Sequence, residues 1–142
     1  MSPITKLAAF LLVCATGCTT SAPKTFTRMA EPGWSAIEIR EGVSYDDAWC
    51  TVFNLLSRTF DVDVAMKEEG YLRTEWLYSW SGKYDAGYTV RITVKFTDDR
   101  KRLDVKSEAL LGLGASKVLG VDSRLASTMK TDLMGTIGRT TR

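Results

Sequence analysis

The chain contains no histidine, which removes the most common general base and the most common metal ligand of proteins. It also lacks a strong excess of one charge, because 19 lysines and arginines stand against 17 acidic residues, a net charge of +2. This balance is not typical of nucleic-acid-binding proteins, whose surfaces are strongly basic. We therefore expect no nucleic-acid partner.

The apolar run Leu7–Ala15 has only nine residues. A membrane-spanning helix needs ~20 apolar residues, so this run does not predict a span. It follows Lys6 and ends in small residues, the pattern of a secretory signal peptide over residues 1–17.

The end of this run places the small residues 15–17 directly before Cys18, and the stretch resembles the lipobox of bacterial lipoproteins. The resemblance implies that Cys18 becomes the acylated, palmitate-bearing N-terminus, and several acyl chains anchor a protein stably. Thr19 follows the cysteine where aspartate tends to retain lipoproteins in the inner membrane, so the resemblance implies an outer-membrane anchor and a periplasm-facing domain. Cys14 is a competing attachment site, and an ordinary cleaved signal peptide is the alternative.

Residues 18–33 contain two prolines, a glycine and several small polar residues without an apolar period, which predicts a flexible tether. Residues 34–142 then form a single domain. Cys50 has no partner for an internal disulfide in the mature chain, and we expect it to be buried as a small apolar residue.

Apolar periodicity in residues 34–142 predicts an α+β fold. We expect an antiparallel four- to five-stranded sheet with two helices packed on one face, in the order β-α-β-β-β-β-α. In the second run of the central hairpin, Trp76 and Tyr78 are expected to share the helix-covered side with Leu72. The expected elements are a short strand at 37–39, a helix after the N-cap Ser44, strands at 62–66, 71–80, 88–96 and 103–109, and a helix over 122–137 with Asp122 as N-cap.

Residues 45–76 open with the helix-starting stretch Asp46–Trp49 and close with Gly70, Leu72 and Trp76 in a hairpin. This stretch resembles the repeated domain of the C-type lipoprotein subunit of the outer-membrane barrel-assembly machinery. The resemblance implies a helix-grip-like fold and a role in envelope assembly. That subunit carries two such domains, whereas this chain has room for one.

Residues 109–121 form an unusually apolar stretch with a single charge, between a predicted strand and the last helix. Loops of this length are normally polar. Two interpretations remain open: the stretch tucks under the sheet, or it is an exposed patch that docks on an envelope protein or lipid. The candidate interaction residues are Leu110, Leu111, Leu113, Val118 and Leu119, with Trp80 and Tyr84 at the tip of the central hairpin.

The leading hypothesis is a non-enzymatic outer-membrane lipoprotein that acts as a protein-interaction module in envelope or outer-membrane protein assembly. We expect no catalytic, cofactor-binding or metal-binding residues and no small-molecule ligand. The partners would be the membrane, through acylated Cys18, and another envelope protein. The alternative is a lipid- or glycan-binding module with an apolar cavity between the sheet and the C-terminal helix. That cavity would be lined by Trp76, Val90, Ile92 and Met129.

Overall fold

The computed structural model describes residues 22–78 and 87–139, in which seven strands and two α-helices form an α+β architecture. A single 3-10 turn, Gly114–Ser116, separates the last two strands. The elements are β1 (Phe26–Arg28), β2 (Ser35–Glu38), α1 (Tyr45–Ser57), β3 (Val62–Met66), β4 (Tyr71–Thr74), β5 (Tyr88–Phe96), β6 (Arg102–Leu111), β7 (Val118–Asp122) and α2 (Ser123–Thr136).

All of these strands pair antiparallel, in the order β1-β7-β6-β5-β4-β3. The remaining strand, β2, also pairs with β6. Two strands therefore share one side of β6: β2 pairs with Arg102–Val105, and β7 pairs with Ala109–Leu111. Between the two registers lies a gap at residues 106–108.

The α+β class and the antiparallel sheet are confirmed, but the expected count of four to five strands was too low, since the described residues contain seven. β1 lies within residues 18–33, the segment expected to be a tether, and its three residues are too few to show an alternation. All of β7 except Asp122 lies within residues 109–121, where apolar residues occupy both alternating positions and hide the strand period.

The two faces of the sheet differ sharply in composition. Even-numbered residues of β5, from Tyr88 to Phe96, are buried and stand opposite odd-numbered residues of β6. The buried residues of α1 and α2 belong to the same hydrophobic cluster, and we call this side the covered face. The odd-numbered residues of β5 and the even-numbered residues of β6 form the opposite side, which we call the open face.

Both helices begin at the expected caps. The Ser44 hydroxyl accepts a hydrogen bond from the Asp47 amide at 3.1 Å, and the Asp122 carboxylate accepts one from the Leu125 amide at 2.9 Å. The expectation for Cys50 was wrong, because its side chain is exposed. Ala48 and Trp49 are buried on one side of α1, and a helix turns 100° per residue. Position 50 therefore lies outside the buried side of this helix.

Candidate interaction surface

The apolar stretch 109–121 is not a loop but the junction of β6 and β7. Leu110 lies directly opposite Leu119, and Leu111 lies directly opposite Val118. The turn between the strands contains Leu113, so the structure brings the five candidate leucine and valine residues into one hairpin. Antiparallel pairing satisfies the backbone of this stretch, and an apolar sequence is therefore tolerated here.

The strand alternation divides these candidate residues between the two faces. Leu111 stands opposite Tyr88 and packs against the core, so Leu111 and Val118 belong to the covered face. Leu110 and Leu119 belong to the open face and are half-buried, while the side chain of Leu113 is 61% exposed. Part of the stretch therefore packs under the sheet, and part of it lies on the open face. We call Leu110, Leu113 and Leu119 the apolar corner.

A row of charges crosses the open face beside the apolar corner. Arg91 on β5 pairs with Glu108 on β6 at 2.9 Å, and Lys106 approaches the same carboxylate at 3.5 Å. The Glu108 side chain is only 9% exposed. Burying a carboxylate is costly unless it is paired, and here two cations supply the pairing. The row is therefore held in a defined arrangement, in contrast to a freely solvated surface.

Tryptophan rings flank this row at both ends. The Arg91 guanidinium lies 4.3 Å from the centroid of the Trp76 ring, and the Lys106 ammonium lies 5.0 Å from that of Trp34. Trp34 was not among the predicted site residues, because it stands at the edge of the expected tether. The sequence does carry a signal for Trp34. It lies three residues before Ile37, so strand alternation places the two side chains on opposite faces of the sheet.

Trp76 was expected on the helix-covered side, and the structure places it on the open face. Leu72 pairs with Val94, and Leu77 bridges to Val90. The stretch from Leu72 to Leu77 is therefore one residue longer than the part of β5 that it faces. At this irregularity the Ile92 amide donates to the Thr74 hydroxyl at 3.0 Å. The extra residue reverses the alternation, so Leu77 packs against the core and Trp76 turns outward.

A buried polar cluster joins β1 to the start of α2. The Asp122 carboxylate accepts hydrogen bonds from the Thr25 hydroxyl at 2.8 Å and from the Tyr88 hydroxyl at 2.5 Å. Burial is the main cause that raises the pKa of Tyr88, and the bond to Asp122 raises it further. Phe26 packs edge-on against the Tyr88 ring, with centroids 6.0 Å apart. These contacts tie the segment entering the domain to the covered face.

Around the residues named in the alternative hypothesis, the space between the sheet and the helices is filled by side chains. Val90 and Ile92 are fully buried, and Met129 is 5% exposed. Trp76 lies on the other face, so the four residues of the alternative hypothesis do not line one cavity. In the part of the chain that the structure describes, neither helix is long and apolar enough to span a membrane. Across the same residues, no group of three or more acidic or cysteine side chains is placed to bind a metal ion.

Three predicted residues, Cys18, Trp80 and Tyr84, lie outside the described residues. Comparison with known proteins adds no further constraint on the surface: no protein-family profile matches the chain, and no curated protein matches it.

Proposed function

We propose that this chain is a non-enzymatic lipoprotein of the bacterial outer membrane, anchored through an acylated Cys18. Its domain faces the periplasm and binds another envelope protein, in a role in envelope or outer-membrane protein assembly. The leader composition and the small residues before Cys18 support the anchor. The proposed fold is helix-grip-like, with the sheet curving around α2, and the α+β architecture supports it.

The observation that carries the interaction role is the apolar corner. Leu113 is 61% exposed, and Leu110 and Leu119 form a direct cross-strand pair on the face that neither helix covers. Exposed apolar groups of this kind are typical of protein contact sites. The neighbouring row of Arg91, Glu108 and Lys106 supplies the polar border that protein interfaces have around an apolar centre.

Photocrosslinking in intact cells tests this proposal. A photoreactive amino acid is placed at Leu113, and the matched control carries it at Asn54, which is exposed on α1. Cys18→Ala supplies an unanchored control, and incorporation of labelled palmitate measures the anchor itself. We expect a discrete protein adduct from position 113, none from position 54, and loss of both adduct and label in Cys18→Ala.

Three results would contradict parts of the proposal. Lipid adducts alone from position 113 would show that the apolar corner contacts the membrane and not a protein. Equal capture from positions 113 and 54 would show that the apolar corner has no special role. Palmitate label that persists in Cys18→Ala would refute the assignment of the anchor without affecting the assignment of the surface.

A further inference from the structure

A second apolar site lies at the gap that β2 and β7 leave along β6. It is a slot of about 250 Å³ between this part of the sheet and α2. An apolar cavity of ~150 Å³ is large enough for benzene, whereas drug-sized ligands occupy ~300–1,000 Å³. The slot therefore matches one aromatic or large aliphatic side chain. Its lining includes Met29, Trp34, Val105, Ser107, Ala126 and Lys130.

The mouth of the slot carries unusually exposed apolar groups. Met29 is 40% exposed and Trp34 is 48% exposed, and both lie on the connection between β1 and β2. Gly33, next to Trp34, also lines the slot, and a Cβ atom there would meet no heavy atom within 4 Å. An incoming side chain would cover both exposed groups and gain burial of apolar area.

The backbone at the gap is oriented to pair with another chain. The Ile92 amide donates to Thr74 on β4, so the peptide groups of Ile92 face β4 and not β6. Ser107 lies directly opposite Ile92, and its own N–H and C=O therefore point away from β5, into the gap. The registers of the two flanking strands stop at Val105 and Ala109. The gap is only three residues long, so Ser107 can pair with the backbone of one incoming residue.

A cation stands at the rim of the slot. Lys130 on α2 lines it, is exposed, and takes part in none of the ion pairs among the described residues. The charge at the rim is thus complementary to a carboxylate.

We propose that this slot binds the C-terminal residue of a partner polypeptide. The terminal apolar side chain fills the slot, the preceding backbone meets Ser107, and the terminal carboxylate meets Lys130. No residue of the apolar corner lines the slot, so this site is independent of the surface proposed above.

Fluorescence anisotropy with the full-length chain in detergent tests the site. The probe is a fluorescein-labelled glycine- and serine-rich decapeptide that ends in phenylalanine with a free carboxylate. We expect saturable binding that weakens about 30-fold when the last residue is serine, because the buried ring is lost. C-terminal amidation should weaken binding about fivefold, because the exposed charge pair is lost.

Variants of the chain assign the binding to the slot. Lys130→Gln should reproduce the effect of amidation and make the amidated and free peptides bind equally. Ala126→Trp should abolish binding by filling the slot, and Lys117→Gln, an exposed lysine outside the slot, is the matched control. A thermal melt of each variant confirms that it is folded.

Three results would overturn the proposal. Binding that is unaffected by amidation and by Lys130→Gln would exclude recognition of the carboxylate. Undiminished binding in a folded Ala126→Trp variant would exclude the slot. Phenylpropionate that binds as tightly as the peptide would show that the occupant is a small acid and not a chain end. None of these outcomes bears on crosslinking at Leu113, because Leu113 does not line the slot.

Discussion

The two faces of the sheet are built from alternating residues of the same strands, yet stability and recognition divide between them. On the covered face, β5 contributes fully buried side chains such as Val90, Ile92 and Val94. On the open face, the intervening residues of the same strand include Arg91, paired to Glu108, and the exposed Lys95. Parity therefore decides on which face a β5 side chain lies, and a single extra residue on a neighbouring strand can move a side chain of that strand to the other face.

The largest difference between the faces should appear when an apolar side chain is truncated on the covered face. Ile92→Ala removes a fully buried side chain and should lower the free energy of unfolding by about 3 kcal/mol. Urea denaturation followed by circular dichroism measures the change. A loss below about 1 kcal/mol would contradict the tight packing of this face.

The bulge at Thr74 should give the next largest effect. Thr74→Val keeps the shape of the side chain but leaves the buried Ile92 amide without its acceptor, which should cost about 2 kcal/mol. Thr74→Ser retains the hydroxyl and serves as the matched control for urea denaturation. Equal losses in the two variants would show that the hydrogen bond does not hold the bulge that turns Trp76 outward.

Tyr88 makes the covered face sensitive to alkaline pH. Burial, followed by the bond to Asp122, raises the pKa of Tyr88 above its ordinary value of 10.0 in the folded chain. The unfolded chain releases this proton near its ordinary pKa, so the associated stability is complete below pH 10 and is lost as the pH rises beyond it. Tyr88→Phe should lose about 1 kcal/mol at pH 7.

The same variant should show a flatter decline of stability above pH 10, because it no longer carries the proton that the folded state retains. Urea denaturation at pH 7 and at a series of pH values above 10 measures both effects. An alkaline decline as steep in Tyr88→Phe as in the unaltered chain would assign that decline to other groups.

Truncation on the open face should give the smallest loss of stability. Leu110→Ser combined with Leu119→Ser removes a half-buried cross-strand pair, and such pairs contribute up to about 1 kcal/mol. The double variant should therefore remain folded, as measured by urea denaturation. A loss as large as that of Ile92→Ala would show that these leucines belong to the core.

Sequence patterns predicted the elements whose physical signals are local. Strict alternation identified β5 and the two faces of the sheet, and the side chains of Ser44 and Asp122 identified the starts of both helices. The same patterns missed β1, because a strand of three residues has no period to read. They also missed β7, because its apolar residues Val118, Leu119 and Val121 occupy both alternating positions.

The candidate site was only partly predictable for the same reason. The residues Leu110, Leu111, Val118 and Leu119 were identified from composition, but their division between the two faces depends on pairing with β7. The outward turn of Trp76 depends on one extra residue opposite β5, which alternation alone does not register. The place of Trp34 beside Lys106 depends on the pairing of β2 with β6, a contact between segments distant in the chain.

A single crosslinking experiment compares the two faces of the sheet. Crosslinking from Leu113 in intact cells is repeated in the Leu110→Ser, Leu119→Ser background and in a background carrying Ile92→Val, a mild change on the covered face. We expect that the protein adduct disappears in the first background, although the chain remains folded, and persists in the second. An adduct that persists in the first background would contradict the claim that the open face binds the partner.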